Sequence, residues 1–466
     1  MPEFRIERDS LGEVNVPSEA YFGAQTQRAV ENFPISDLRF QRQFIEALGV
    51  IKLCAARVNE RLGLLDPDLA SAIGSAASRV RAGEFDDEFV IDIFQTGSGT
   101  STNMNANEVI ANIATEEMGH AKGDKTVHPN DHVNMSQSSN DTIPTAIHVS
   151  VRLAAVRELI PALSRFADEL DRKAEEFDDV VKSGRTHLMD ATPVRLGQEF
   201  AGYAAQIRHG IARVERASDE LAELAQGGTA VGTGINVHPD FPQQVIEEIS
   251  RETGLDFREA GNHFEAQAAR DASVSLAGAL NTVAVSAMKI ANDIRWLSSG
   301  PTSGIFELSL PAIQPGSSIM PGKVNPVMSE ALMMASARVM GNAHTVTICG
   351  QHGNFELNVM MPILAFTLLE SVSILSNALD AFRTRCLEGI QANRDRCAEL
   401  LERNPSIATA LNRTIGYDAA SKVAKKAAAE GKSVTQVVLD EGILTETQLR
   451  DVLDVRSMTE PGIPGE

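Results

Sequence analysis

Hydroxyl, amide and glycine residues concentrate in four short runs of this chain. They are Gln95-Thr96-Gly97-Ser98-Gly99-Thr100-Ser101-Thr102-Asn103, Ser138-Ser139-Asn140-Asp141, Gly184-Arg185-Thr186-His187, and Gly316-Ser317-Ser318-Ile319-Met320-Pro321-Gly322-Lys323-Val324-Asn325-Pro326. Each is expected to lead into a helix, so that backbone N–H groups without intrahelical partners point at whatever occupies the run. Alcohols, amides and helix N-termini together suit a small carboxylate ligand, with Lys323 as a fixed cation beside it. His187 adds an imidazole that can exchange a proton near neutral pH. One such run is also what an ordinary helix cap requires, since Ser, Thr, Asn and Asp favour that position. Four together, with one His and one Lys among them, point to a ligand site.

Spacing argues against several other chemistries. The stretch from Gly316 to Lys323 has the wrong gap between Gly316 and Gly322 for a phosphate-binding P-loop, and Val324 stands where a magnesium-binding Ser or Thr belongs. His128 and His132 are separated by Pro129 and Asn130, which suggest a turn rather than a metal-binding helix face. Gly227-Gly228 and Gly232-x-Gly234 do not make a dinucleotide fingerprint. No metal and no nucleotide cofactor are expected.

The chain has 466 residues, with 42 Lys plus Arg against 63 Asp plus Glu, a formal charge of −21. That balance speaks against nucleic-acid or anionic-membrane binding, which needs clustered cations. A hydrophobic share of 43% with 23% charged residues fits a globular protein. With 18 Phe, 3 Tyr and 1 Trp, the core must be built mainly from aliphatics and Ala, which favours close helix packing. Cys54, Cys349, Cys386 and Cys397 form no C-x-x-C pair, so a reducing compartment is expected. The start, Met1-Pro2-Glu3-Phe4-Arg5, carries charges where a secretory leader needs an apolar run, and a cytoplasmic location is expected.

Long breaker-free segments dominate the middle of the sequence. Leu276, Leu280, Val283, Ala287, Ile290, Ile294 and Leu297 alternate steps of four and three, an apolar helical stripe, and Val274, Ala277, Ala284, Met288 and Ala291 make a second. Similar readings give helices from Leu196 to Leu224, opened by Pro193, from Ile147 to Phe177 with a bend at Pro161, from Pro326 to Thr347, and from Ile363 to Leu387. Helices this long, apolar on two sides, are expected to pack against copies of themselves in a homo-oligomer. Before Pro34 the chain reads as irregular, and Leu38 to Val58 and Asp66 to Arg81 read as helices. After Asn404 short helices are expected, ending in a loose tail from Thr459. The chain is therefore expected to be all-α, with a mixed, mainly helical domain at 1–137, a long-helix bundle at 138–395 and a small helical domain at 396–466.

The run from Gly316 to Pro326 resembles the signature of the fumarase/aspartase superfamily, and the motif is long and specific. Gly97-Ser98-Gly99-Thr100, His128-Pro129-Asn130-Asp131, Ser138-Ser139-Asn140-Asp141 and Thr186-His187 follow in that family's order and spacing, so the resemblance covers nearly the whole chain. Within the superfamily it is similar to class II fumarate hydratases: aspartases usually carry Gln where His187 stands, and Ser329-Glu330-Ala331 is fumarase-like. Thr102 replaces a commoner Ser, and Lys125 stands where Arg is often found.

The resemblance implies a three-domain subunit and a homotetramer with a 20-helix core and sites shared between subunits. It also implies metal-independent hydration of fumarate to (S)-malate through an aci-carboxylate carbanion. Aspartate ammonia-lyase or another lyase of the superfamily is the alternative, and a scaffold without activity is a more distant one. In the implied site His187 activates water, Glu330 orients it, and Ser317 exchanges the C–H proton. Lys323 and Asn325 grip the carboxylate that gains charge. Ser98, Gly99, Thr100, Ser138, Ser139, Asn140, Thr186 and Ser318 hold the rest of the dicarboxylate. His128, Pro129, Asn130 and Asp131 resemble a second carboxylate site, for which a capped turn is an equal account.

Overall fold

The computed structural model describes residues 3–463, so the leader reading at Met1 and Pro2 lies outside it. The chain opens with a hairpin, β1 (Phe4–Asp9) and β2 (Gly12–Pro17), followed by α1 (Ala24–Asn32), α2 (Arg42–Arg61), α3 (Pro67–Ala82), α4 (Thr100–Glu117), α5 (Ser139–Ala154) and α6 (Ile160–Glu176). A second hairpin, β3 (Val181–Thr186) and β4 (Met189–Arg195), leads into α7 (Leu196–Glu220). Then come β5 (Glu223–Leu224), α8 (Phe241–Thr253), β6 (Arg258–Glu259), α9 (His263–Ala268), α10 (Asp271–Leu297), β7 (Leu308–Ser309) and α11 (Val327–Gly350). The last part contains β8 (Gly353–Asn354), β9 (Leu357–Asn358), α12 (Met361–Arg385), β10 (Gln391–Ala392) and α13 (Arg394–Glu402). Four short helices follow, α14 (Asn412–Ile415), α15 (Tyr417–Glu430), α16 (Val434–Asp440) and α17 (Glu446–Val452). The sheets have only two strands each, and the protein is all-α in class.

Two compact units form, and neither follows the chain in one piece. One takes the residues up to Pro161 with Ile211–Ala284 and Ser336–Ser376; the other takes Ala162–Gly210, Val285–Ala335 and the stretch from Asn377 on. In the first, α2 is buried along most of its length and crosses α3 at Gly49, where a Cβ would meet the backbone of Arg81 at 2.8 Å. In the second, Phe166 packs edge-on against Phe382, and Phe177 against Phe200.

The long-helix readings stand, with local differences. The helix through Pro161 does not simply bend. A π-helical turn at Ala155–Leu159, closed by Ile160 N–H donating to Ala155 O, joins α5 to α6 just before the proline. Extended backbone at Ala269 separates α9 from α10, the helix that carries both apolar stripes. Pro193 lies in β4 rather than opening α7. The start of the expected loose tail is tied down: Arg195 and Gln198 donate to the Thr459 hydroxyl and carbonyl, both at 2.9 Å, and Arg195 also pairs with Glu460. Two helical stretches, Asp271–Leu297 and Met361–Gly389, are long and apolar enough to cross a membrane by composition, but half and two thirds of those windows are buried within the protein.

Candidate active site

In the first unit the runs at 95–103 and 138–141 come together. Gly97 sits where only glycine fits, because a methyl there would overlap the Val359 carbonyl, and its own carbonyl accepts from Met361 N–H at 3.0 Å. Gly99 caps α4 in the left-handed region at φ +71°. This turn delivers Ser98 and Thr100 to the start of the helix, with their hydroxyls 2.8 Å apart. The Thr100 hydroxyl is in turn 2.7 Å from that of Ser139, so a continuous chain of alcohols spans the N-termini of α4 and α5.

Ser138 opens α5 with a reciprocal cap: its hydroxyl accepts from Asn140 N–H at 3.2 Å, and its own N–H donates to Asp141 at 2.9 Å. The other oxygen of Asp141 accepts from the N–H groups of Gly227 and Thr229 at 3.0 and 2.9 Å. Asn140 donates to Ala230 O at 2.8 Å. Burial pushes the Asp141 pKa up, and those backbone donors oppose the rise. Ser98, Gly99, Thr100, Ser138, Ser139 and Asn140 are thus gathered as the sequence suggested.

Residues that sequence reasoning missed lie just behind. Buried Lys52 on α2 donates to Asn134 at 3.1 Å and Gln137 at 3.0 Å, and Asn103 and Asn107 of α4 donate to the same Asn134 oxygen at 3.1 Å. Burial lowers the Lys52 pKa to about 7, against the pull of Asp141. The available signal was a lysine inside an otherwise apolar helix, together with asparagines one helical turn apart.

His128 starts a π-helical turn at Pro129–Val133, its Nδ1 accepting from the N–H groups of Asn130 and Asp131 at 3.2 and 3.1 Å. His132 Nδ1 accepts from the His128 N–H at 2.9 Å. His128, Pro129 and Asn130 line a cavity of about 230 Å³ with Arg8 and Lys125.

In the second unit Gly184-Arg185-Thr186-His187 does not lead into a helix, correcting the expectation. It forms the end of β3 and the turn of the β3–β4 hairpin. His187 and Leu188 both adopt positive φ at the exposed tip, +57° and +62°. In the signature loop, Gly316 N–H donates to Lys323 O at 2.9 Å and Asn325 donates back to Gly316 O at 2.6 Å. The Ser317 hydroxyl accepts from the N–H groups of Ile319 and Met320 at 3.3 and 3.0 Å. Ser318, Lys323 and Glu330 are exposed. Lys323 and Asn325 line a cavity of about 290 Å³ with Phe306 and Leu308. Among the described residues no hydrogen bond or ion pair joins His187 to Glu330 within one chain.

Residues 12–341 match the family described as Lyase, and residues 407–460 match Fumarase C C-terminus. The chain is 56% identical to a class II fumarate hydratase of Halobacterium salinarum, covering 99% of this chain and 98% of that one. It is 54% identical to another from Corynebacterium glutamicum, covering 98% and 96%. A crystal structure of class II fumarase from Schistosoma mansoni superposes with a TM-score of 0.96 at 37% identity, covering 98% and 100%. The chain belongs to the class II fumarate hydratase family.

Proposed function

We propose that this protein hydrates fumarate to (S)-malate, reversibly, as a hydro-lyase of the tricarboxylic acid cycle. The observation that carries the reading is the alcohol chain Ser98–Thr100–Ser139 laid across two helix N-termini. Helix N-termini favour negative charge, and hydroxyls donate to carboxylate oxygens, so that surface suits one end of a dicarboxylate. Asn140 and Thr186 add donors, and Ser318 a further hydroxyl.

The reaction needs a base for water at one carbon and a proton carrier at the next. His187 takes the proton of the attacking water, with Glu330 orienting the ring and stabilising its charged form. Ser317 delivers the proton to the adjacent carbon and, in dehydration, removes it as the alkoxide. A serine is a poor base unless its anion is stabilised, and the two N–H groups already aimed at its oxygen do that. Lys323 and Asn325 hold the carboxylate that carries the extra charge of the carbanion. The chemistry is acid–base throughout and asks for no cofactor.

His187 and Glu330 would meet across copies of the chain in a homotetramer. Apolar side chains left open on the longest helices support that assembly: Val285 on α10 is 50% exposed and Met334 on α11 is 69% exposed. The three stretches 1–137, 138–395 and 396–466 remain our reading of the subunit's domains, and the cytoplasm our reading of its location, where the four buried thiols stay reduced.

The direct test incubates purified protein with (S)-malate and follows fumarate by ultraviolet absorbance. Absorbance should rise with wild type and stay flat with Ser317→Ala; a flat wild type would end the reading.

A further inference from the structure

Four ionisable side chains of the second unit meet beneath the hairpin that carries Thr186 and His187. Lys182 Nζ lies 2.8 Å from Glu199 and 3.1 Å from Glu307, and Arg185 forks onto both oxygens of Glu307 at 2.9 Å each. Lys182 and Glu307 are fully buried. Burying ions costs free energy that apolar packing would avoid, so such a cluster marks a place where direction matters more than strength. A forked guanidinium–carboxylate pair admits essentially one mutual orientation, which an apolar contact does not enforce.

The two sides of this pair lead to both reacting elements. Arg185 stands two positions before His187, just past a bulge in the β3–β4 register. Glu307 is itself held from both directions: its N–H donates to Leu297 O at 2.8 Å, and its carbonyl accepts from Asn393 N–H at 2.9 Å. The next residues form β7, paired with β10, and the chain then runs into the loop of Ser317 and Lys323. We infer that Glu307 is a positioning residue that sets the direction of both the His187 hairpin and the root of the Ser317 loop, through Arg185 and Lys182. This rests on the hydratase reading above. None of the three touches substrate. The other ionisable groups facing the cluster are Glu199 on α7, Asp190 across the hairpin from Arg185, and Cys397 on α13, whose thiol burial pushes up to about 12.

The test is Glu307→Gln, which keeps the shape, leaves Arg185 without its carboxylate and leaves Lys182 with Glu199 alone. Turnover should fall at least about tenfold with KM within about threefold, because the alcohols of α4 and α5 are untouched. A purely structural lesion would move KM and stability along with kcat. Arg185→Lys keeps the charge and loses the fork, so it too should lower kcat with KM held. Circular dichroism and mass establish folding; if Glu307→Gln does not fold, the kcat of Arg185→Lys decides. Wild-type turnover is read in the same series. A silent wild type removes the hydratase reading and the anchor with it, whereas an active wild type with unchanged kcat in either variant overturns the anchor alone.

Discussion

Asp141 gives the most exacting test of how the carboxylate-binding surface is held. One buried carboxylate accepts from the N–H groups of Ser138, Gly227 and Thr229. Asparagine has nearly the same shape but only one acceptor oxygen. With that oxygen on Gly227 and Thr229, its amide nitrogen opposes the Ser138 N–H; turned round, it opposes the other two. Each charge-assisted hydrogen bond contributes roughly 1.5–3 kcal/mol, and a stranded buried donor costs about 1–3 kcal/mol. A neutral amide is easier to bury, which offsets part of this, as the raised pKa of Asp141 indicates. The net expected loss for Asp141→Asn is about 2–4 kcal/mol. The assay is urea unfolding followed by circular dichroism at fixed protein concentration, because association shifts apparent stability. KM for malate should rise as well, since Ser139 and Asn140 hang on this cap. A loss under about 0.5 kcal/mol with unchanged KM would refute the reasoning.

Four further outcomes are expected. His187→Asn and Ser317→Ala should each lower kcat by at least about a hundredfold while the mass of the assembly, read by light scattering, is unchanged. Lys52 has a folded pKa near 7, below its ordinary value of 10.5, so the unfolded chain binds the extra proton between those limits. Wild type should therefore gain stability relative to Lys52→Met as pH rises from 7 to 9, by up to about 1.4 kcal/mol per unit, measured by unfolding at each pH. Gly97→Ala should cost about 1–3 kcal/mol in the same unfolding assay and weaken malate binding, because the Val359 carbonyl is backbone and cannot swing aside. Chelator treatment should leave turnover unchanged.

The long helices could be read from the sequence because their apolar stripes recur with one period over many turns, as in α7 and α10. The alcohol-rich turns of α4 and α5 could be read for a similar reason: Ser138 and Asp141 carry the reciprocal cap in their spacing. The first hairpin could not. In β1 the alternation is inverted, with Ile6 68% exposed and Glu7 only 7%, because Glu7 pairs with Arg5 and caps Ala24 N–H. The β3–β4 hairpin was hidden likewise, since buried Lys182 and half-buried Arg185 face carboxylates, Glu199 on the next helix and Glu307 far along the chain. A period-2 pattern assumes apolar residues inside, and it fails where the inward face is ionic. Lys52 escaped notice because its partners, Asn134 and Gln137, arrive from a turn more than eighty residues further on.

The central claim is that fumarate is hydrated at a site to which different copies of the chain contribute, and mixing inactive variants tests it most directly. Thr100→Val and His187→Asn should each be nearly inactive. Unfolded together in equal amounts and refolded, they should recover roughly a quarter of wild-type turnover, the fraction of randomly assembled sites that draw each intact residue from a different copy. Mixtures that form hybrid assemblies by mass spectrometry yet stay as inactive as either parent would contradict the account.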